Sequence, residues 1–251
     1  MRVAALSDIH GNLPALEAVL RDVQKERPDL IVVCGDVASG PMPAETIDAL
    51  RVLVGVRFVR GNADRGLIDE FDGGEKSAMP GPFAGWCAKQ LDRGQRDFLA
   101  SFESTVTIDG VDGLGTVLFC HASPRNDTDV FSAETPDGRV RFLMSGVESD
   151  VVVCGHTHMQ FDRRLEALRI VNPGSVGMPY GEPGAYWAML GPELRLRRTE
   201  YDRDAAAARM RAKRAAEADT FAADNVLTVP SVADAMTFLR GAEAKQVAAQ
   251  P

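Results

Sequence analysis

Six short apolar runs punctuate this chain, at residues 3–6, 30–34, 56–59, 116–120, 151–154 and 168–171, and each gives way to a polar residue or a glycine turn. Runs of this length that are apolar on both faces read as strands buried between two layers. Between the first two runs, Leu13, Leu16, Leu20 and Val23 recur at helical spacing, with Asn12 placed as cap and Pro14 in the first turn. Residues 43–54 repeat the pattern, with Ile47, Leu50 and either Leu53 or Val54 facing inward. Strand–helix–strand alternation calls for an α/β core with a partly parallel sheet. In such sheets ligands sit in the loops beyond the carboxyl ends of the strands. Further on, a turn at 110–115 and runs at 161–165, 185–190 and 194–201 suggest antiparallel strands, so two packed sheets flanked by helices are expected.

The polar residues that end these runs repeat a small set of types. They are Ser7-Asp8-Ile9-His10-Gly11-Asn12, Gly35-Asp36, Arg60-Gly61-Asn62, Cys120-His121-Ala122 and Gly155-His156-Thr157-His158. All four histidines of the chain fall within them. Histidine, Asp and Asn gathered at strand ends are what a first-row metal site of mixed nitrogen and oxygen ligands requires. On an extended chain, Asp8 and His10 point the same way, and His156 and His158 repeat that spacing. Gly155 lets the backbone turn sharply before them. Asp36 has two oxygens that can bridge two cations, while Asn62 and His121 add one neutral ligand each. Two divalent ions against two carboxylates and a bridging hydroxide leave about one positive charge to attract phosphate. Two ions roughly 3.5–4 Å apart can clamp the attacking and leaving oxygens of an in-line displacement.

Composition narrows the alternatives. The chain has 251 residues, 45% of them hydrophobic, enough for a well-buried core. Its formal net charge is −8, and its most basic stretches, 195–198 and 209–214, are short and interleaved with apolar residues. Dedicated nucleic-acid binding is therefore not expected. No apolar stretch approaches the ~20 residues that span a bilayer. Residues 1–6 run straight into the first motif, so a cleavable leader within them is not expected. Cys34, Cys87, Cys120 and Cys154 show no paired spacing and read as core thiols of a reduced, cytoplasmic protein. No phosphate-binding GxxxxGK[ST] loop and no GxSxG elbow occur, since Gly174-Ser175-Val176-Gly177 does not match the latter.

In order and spacing, these five motifs resemble those of the calcineurin-like metallophosphoesterase superfamily: D-x-H, G-D, G-N-x-[DE], H and G-H-x-H. Ser7 to Leu13, together with Asn172-Pro173-Gly174-Ser175-Val176, is similar to a small prokaryotic branch of phosphodiesterases and diadenosine-tetraphosphatase-related proteins. The resemblance implies a four-layer αββα sandwich of two mixed β-sheets flanked by helices, with a C-terminal helical tail. By motif position, one metal would be held by Asp8, His10, Asp36 and His158, and the second by Asp36, Asn62, His121 and His156. Manganese is the first expectation, with iron, zinc, cobalt and nickel also typical of such sites. The implied nucleophile is a metal-bridging hydroxide. Asn62, His121 and Asp64 would serve catalysis, and Arg125, Asn172 and Ser175 would line the substrate pocket. The expected activity is hydrolysis of a small phosphodiester, nucleotide or phosphoanhydride. A phosphomonoesterase of the same fold, or a metal-binding scaffold with little catalysis, stand as alternatives.

One departure stands out. Family members commonly carry histidine after the Asn of the third motif, where it serves the leaving group; here the residue is Ala63. Asp64, which would orient that imidazole, remains. Good leaving groups, diesters and anhydrides need a proton donor least, and alkyl monoesters need it most. Arg60, Arg65 and Arg125 are candidates to compensate electrostatically. The second motif continues as Val37-Ala38-Ser39-Gly40, unlike that of protein phosphatases, so protein phosphatase activity is not expected.

The expected catalytic domain covers 1–201. Within it, 65–103 forms either a lid over the site or a surface excursion, with a turn at Pro80-Gly81-Pro82 and a helical pattern in Phe83, Trp86, Cys87 and Leu91. Residues 202–251 read as a helical extension packing on that domain, with Ser231 and Asp234 as a capping box. The tail offers a surface for self-association.

Overall fold

The computed structural model describes residues 1–74, 81 and 83–249. Its strands form two five-stranded sheets. In the first, β1 (Val3–Leu6), β2 (Leu30–Val33) and β3 (Val56–Phe58) run parallel, while β9 (Ala185–Leu190) and β10 (Arg195–Thr199) add antiparallel on the other side of β1. In the second, β5 (Gly115–Cys120), β6 (Val151–Val153) and β8 (Leu168–Asn172) run parallel. Antiparallel β4 (Thr105–Val111) and β7 (Phe161–Leu165) edge that sheet.

The two-residue alternation of side chains explains why both faces of these strands are apolar. Val3 and Ala5 of β1 join Val117, Phe119, Val151 and Val153 in a core between the sheets. Ala4 and Leu6 face the other way, into a core shared with the helices α1 (Leu13–Glu26) and α2 (Pro43–Arg51) through Leu16, Val19 and Ile47. On the far face, Cys120, Val152 and Ile170 pack against Val140 and Leu143 of α6 (Asp137–Leu143). Helices, sheet, sheet and helix make four layers.

Local chemistry sets the helix ends. The Asn12 side chain accepts the Ala15 N–H at 3.2 Å and starts α1. Helix α2 stops at Arg51, so Leu53 turns toward the core while Val54 is left 95% exposed.

The described part of 65–103 packs into the helical core of the first sheet. Helix α3 (Asn62–Asp72) grows out of the third motif itself, followed by α4 (Ala84–Ala88) and α5 (Arg93–Ala100). Leu67, Cys87 and Leu99 enter the same core as α1 and α2, and the Gln95 amide donates to Ala44 O and Asp48 Oδ1 of α2. The pattern from Phe83 to Leu91 yields only the five-residue α4, which starts after Phe83 in a left-handed cap and ends at Ala88. Residues 75–80 and 82, including Pro80 and Pro82 of the expected turn, lie outside the described residues.

The tail contains α7 (Arg203–Arg211), α8 (Ala216–Phe221), a π-helical turn at Ala222–Leu227 and α9 (Val232–Ala248). Met210, Phe221 and Val226 complete the helical core of the first sheet. At the start of α9, Ser231 Oγ accepts the Asp234 N–H and donates to the Asp234 carboxylate. The reciprocal bond to the Ser231 amide that would complete a capping box is replaced by this side-chain contact. Met236 and Leu239 pack on Val130 and Met159. Gln246 accepts the Val130 N–H at 2.8 Å and donates to Thr128 O at 2.6 Å. No helix among the described residues is long and apolar enough to cross a membrane.

Candidate metal centre

The seven expected ligands meet at the carboxyl ends of five strands. Asp8 and His10 follow β1, Asp36 follows β2, Asn62 opens α3 just beyond β3, His121 follows β5, and His156 and His158 follow β6. Asp8, His10 and His158 form one group, and Asp36, His121 and His156 form another; in each, the donor atoms lie within 4.8 Å of one another. Asp36 Oδ2 stands 3.7 Å from His10 Nε2 and 3.4 Å from His121 Nε2, so one carboxylate oxygen joins the two groups. Asn62 Oδ1 lies 3.0 Å from His121 Nε2.

The shared direction of these side chains does not come from strand alternation. Asp8, His10, Asp36, His156 and His158 all have φ between 47° and 65°. Strands β1, β2 and β6 have ended before the ligands begin. The chain then passes through the left-handed region, which Asp and His enter more readily than most residues, at a cost of ~1–3 kcal/mol each. Backbone bonds between loops hold this shape: Asp8 N–H to Gly35 O, His10 N–H to Asp36 O, and Gly177 N–H to Asp8 O. Gly155 serves close approach rather than a turn, since a Cβ there would collide with Ser7 Oγ and lie 2.6 Å from Asp8 Oδ2.

Three imidazoles place Nδ1 against a backbone carbonyl: His10 against Ser39 O (3.1 Å), His121 against Cys34 O (2.7 Å) and His158 against Met178 O (2.9 Å). A proton on each Nδ1 leaves Nε2 as a lone pair aimed inward, the arrangement that metal-ligating histidines adopt. His10 Nε2 and His158 Nε2 face one another at 3.2 Å. Two such lone pairs repel unless a cation or a proton lies between them. The donor set, two carboxylates and four imidazoles with an amide oxygen, fits two divalent first-row ions.

Without metal, charge within the site settles on protons. Burial opposes ionisation of Asp8 and Asp36, yet the facing histidines hold both carboxyls below their usual range. Burial likewise opposes the His121 imidazolium, but Asp36 and Asp8 raise it to about 10. His156, buried and beside His121, is pushed down to about 4.

Several expected site residues lie behind the ligands. Asp64 accepts three backbone N–H bonds, from Asp36 and Gly61 on Oδ2 and from Val37 on Oδ1, at 2.8–2.9 Å. Burial and the nearby Asp36 charge push its carboxyl up to about 7. It fastens the Asp36 loop and orients no side chain. Asn172 and Ser175, expected to line the substrate pocket, are wholly buried. Asn172 holds the last motif through Gly155 O, Thr157 Oγ1 and the Gly174 N–H. Ser175 donates to Asp8 O and accepts the Met178 N–H. Both shape the ligand loops from within the fold. Ala63 is fully buried as well, and a Cβ on Gly81 would come within 2.5 Å of its methyl.

Arg125 does reach an open groove. Its guanidinium lies 4.0 Å over the Phe142 ring, and the residue lines a cavity of about 190 Å³ together with His121 and Arg60. Arg65 instead pairs with Asp127. Sequence reasoning missed Tyr180, whose ring stacks on His158 at 5.8 Å. It also missed the carbonyls of Cys34, Ser39 and Met178, which no side-chain pattern could reveal.

Comparison with known proteins agrees with this geometry. The model of the calcineurin-like phosphoesterase superfamily domain matches residues 1–192. The phosphodiesterase YfcE of Escherichia coli is 28% identical over 205 residues, covering 77% of this chain and 89% of YfcE. The Methanocaldococcus jannaschii protein MJ0912 is 28% identical over 193 residues, covering 70% of this chain and 76% of that one. A metallophosphoesterase from Sphaerobacter thermophilus superposes with a TM-score of 0.73 at 28% identity, covering 90% of this chain and 99% of its own. The chain belongs to the calcineurin-like phosphoesterase superfamily and is a hydrolase of the phosphoesterase class.

Proposed function

We propose that this protein is a two-metal phosphoesterase that hydrolyses a small phosphodiester, nucleotide or phosphoanhydride. The observation that carries this reading is Asp36 Oδ2, poised between His10 and His121 so that one oxygen serves both ligand groups. Asp8, His10, Asp36 and His158 would hold one ion; Asp36, Asn62, His121 and His156 would hold the other. Bound divalent ions would supply an activated water and offset charge on the phosphoryl oxygens. The protein's own part is to fix the donors. Asp64 anchors the Asp36 loop, Asn172 and Ser175 anchor the last motif, and the carbonyls of Cys34, Ser39 and Met178 keep Nε2 free on three imidazoles.

Ala63 favours diesters and anhydrides over alkyl monoesters, because no imidazole stands at that position to protonate a poor leaving group. The name of the YfcE relative points the same way. A scaffold role would be marked by lost ligands, and all seven are present. The test is turnover with added manganese over bis-aryl phosphodiesters and alkyl phosphomonoesters, alongside metal analysis. Diester hydrolysis at least equal to monoester hydrolysis is expected, abolished in Asp36→Ala and in His121→Ala while each keeps its fold. Undiminished turnover in either variant would sink the assignment.

A further inference from the structure

The groove beside His121 holds an unusual pair of charges. Arg60 and Arg125 line it, and among the described residues neither guanidinium has a carboxylate partner. Two nearby arginines are paired: Arg57 binds Glu103 through two of its nitrogens, and Arg65 binds Asp127 in the same way. Asp127 also lines the groove, but with its charge already matched by Arg65. In a chain of net charge −8, two unmatched cations beside a metal centre form an anion site.

Arg125 is also held in place before any ligand arrives. Its guanidinium stacks on Phe142, a contact that orients the planar donor fork. Its backbone N–H is bound by Ser123 Oγ, which in turn donates to Asp129 at 2.6 Å. The Ser123 N–H closes a turn on Asn126 O. From the tail, Gln246 grips Thr128 and Val130 of the same loop. Ser123 and Asn126 are thus engaged in shaping the groove, which Arg60 and Arg125 line without a carboxylate partner among the described residues.

We propose that this groove is a second phosphate subsite, and that the substrate is a phosphoanhydride whose leaving phosphate is received by Arg60 and Arg125. The proposal rests on the reading of the neighbouring ligands as a catalytic metal centre. Water adds to the phosphorus at that centre, and the bond from phosphorus to the bridging oxygen breaks. The bridging oxygen departs with the electron pair as part of the second phosphate, and the proton released from water passes to solvent. Such a leaving group ionises near neutral pH and needs cations rather than a proton donor. The absent imidazole at Ala63 and the paired arginines thus answer to one substrate chemistry.

The test uses the full chain loaded with manganese, with bis(p-nitrophenyl) phosphate as reporter and AMP and ADP as competitors. The parent is expected to bind ADP at least about tenfold more tightly than AMP, the scale of one added charge-assisted contact. In Arg60→Ala/Arg125→Ala that preference should fall to near unity, and Arg125→Lys should keep only part of it. A second readout avoids turnover: inorganic pyrophosphate titrated calorimetrically into metal-free protein should bind the parent and fail to bind the double variant. Equal inhibition by AMP and ADP in the parent, or a preference that survives in the double variant, overturns the subsite. If the parent shows no metal-dependent turnover yet loses pyrophosphate binding in the double variant, the anion subsite stands and the catalytic reading falls.

Discussion

His10 and His158 point Nε2 at Nε2 across 3.2 Å, each with Nδ1 set against a backbone carbonyl. Neither ring can relieve the contact by turning, because the carbonyls fix both orientations. A cation between them converts the repulsion into coordination. Manganese is therefore expected to stabilise the fold by about 2–3 kcal/mol at a hundredfold excess over its dissociation constant. Calorimetric unfolding with and without the ion reads this directly. His158→Ala should lose most of the metal-dependent rise in Tm, and an equal rise in that variant would count against the pairing.

Metal affinity should climb with pH. Asp36 and Asp8, against the opposing pull of burial, keep His121 protonated up to about 10 in the metal-free protein. With its pKa raised, the proton is held through neutrality and lost only near that value. A divalent ion must displace it, so affinity should gain about tenfold per pH unit for each proton expelled. Titrations in buffers of different ionisation enthalpy count those protons. A pH-independent affinity with no proton release contradicts the picture.

Asp64→Ala should behave as a positioning variant. Removing the acceptor of three buried N–H groups is expected to cost ~2–4 kcal/mol and to weaken metal binding. Urea unfolding and a manganese titration report both. A large fall in kcat at saturating metal with unchanged stability would instead place Asp64 in the chemistry.

Restoring the family's usual residue should not restore its usual chemistry. With Gly81 packed against the Ala63 methyl, Ala63→His overfills the site and is expected to destabilise by ~1–3 kcal/mol. Alkyl monoester hydrolysis should not improve. A clear gain in that activity with unchanged stability would show that space for the imidazole exists after all.

Gln246→Ala tests the reach of the tail. Loss of two bonds to the loop at 128–130 should speed local amide exchange there by about thirtyfold, taking ~1 kcal/mol as the net worth of each contact. Hydrogen exchange resolved by residue checks it. Unchanged protection would mean that Met236 and Leu239 alone hold the loop.

The strands were readable because both of their faces are buried, so continuous apolar runs such as 3–6 and 151–154 had one interpretation. The ligands were readable because chemistry confines them to a few residue types at strand ends. Less visible was anything decided by long-range packing. Asn172 and Ser175 carry the polarity of pocket residues, but their bonds to Gly155 and Asp8 cross large sequence separations. Spacing also suggested extended backbone for Asp8 and His10, since side-chain identity does not report a left-handed φ. The left-handed start of α4 at Phe83 escaped for a similar reason, because a helical period does not report it.

The match to the family model ends at residue 192, before β10 begins, while the likeness to the Sphaerobacter thermophilus metallophosphoesterase covers 90% of the chain. Yet β10 seals the open edge of β9, and α9 clamps the loop that carries Arg125. The part of the chain beyond the matched domain thus acts as one mechanical body with the site. Substitutions in the tail offer a lineage a way to retune substrate choice while every metal ligand stays untouched.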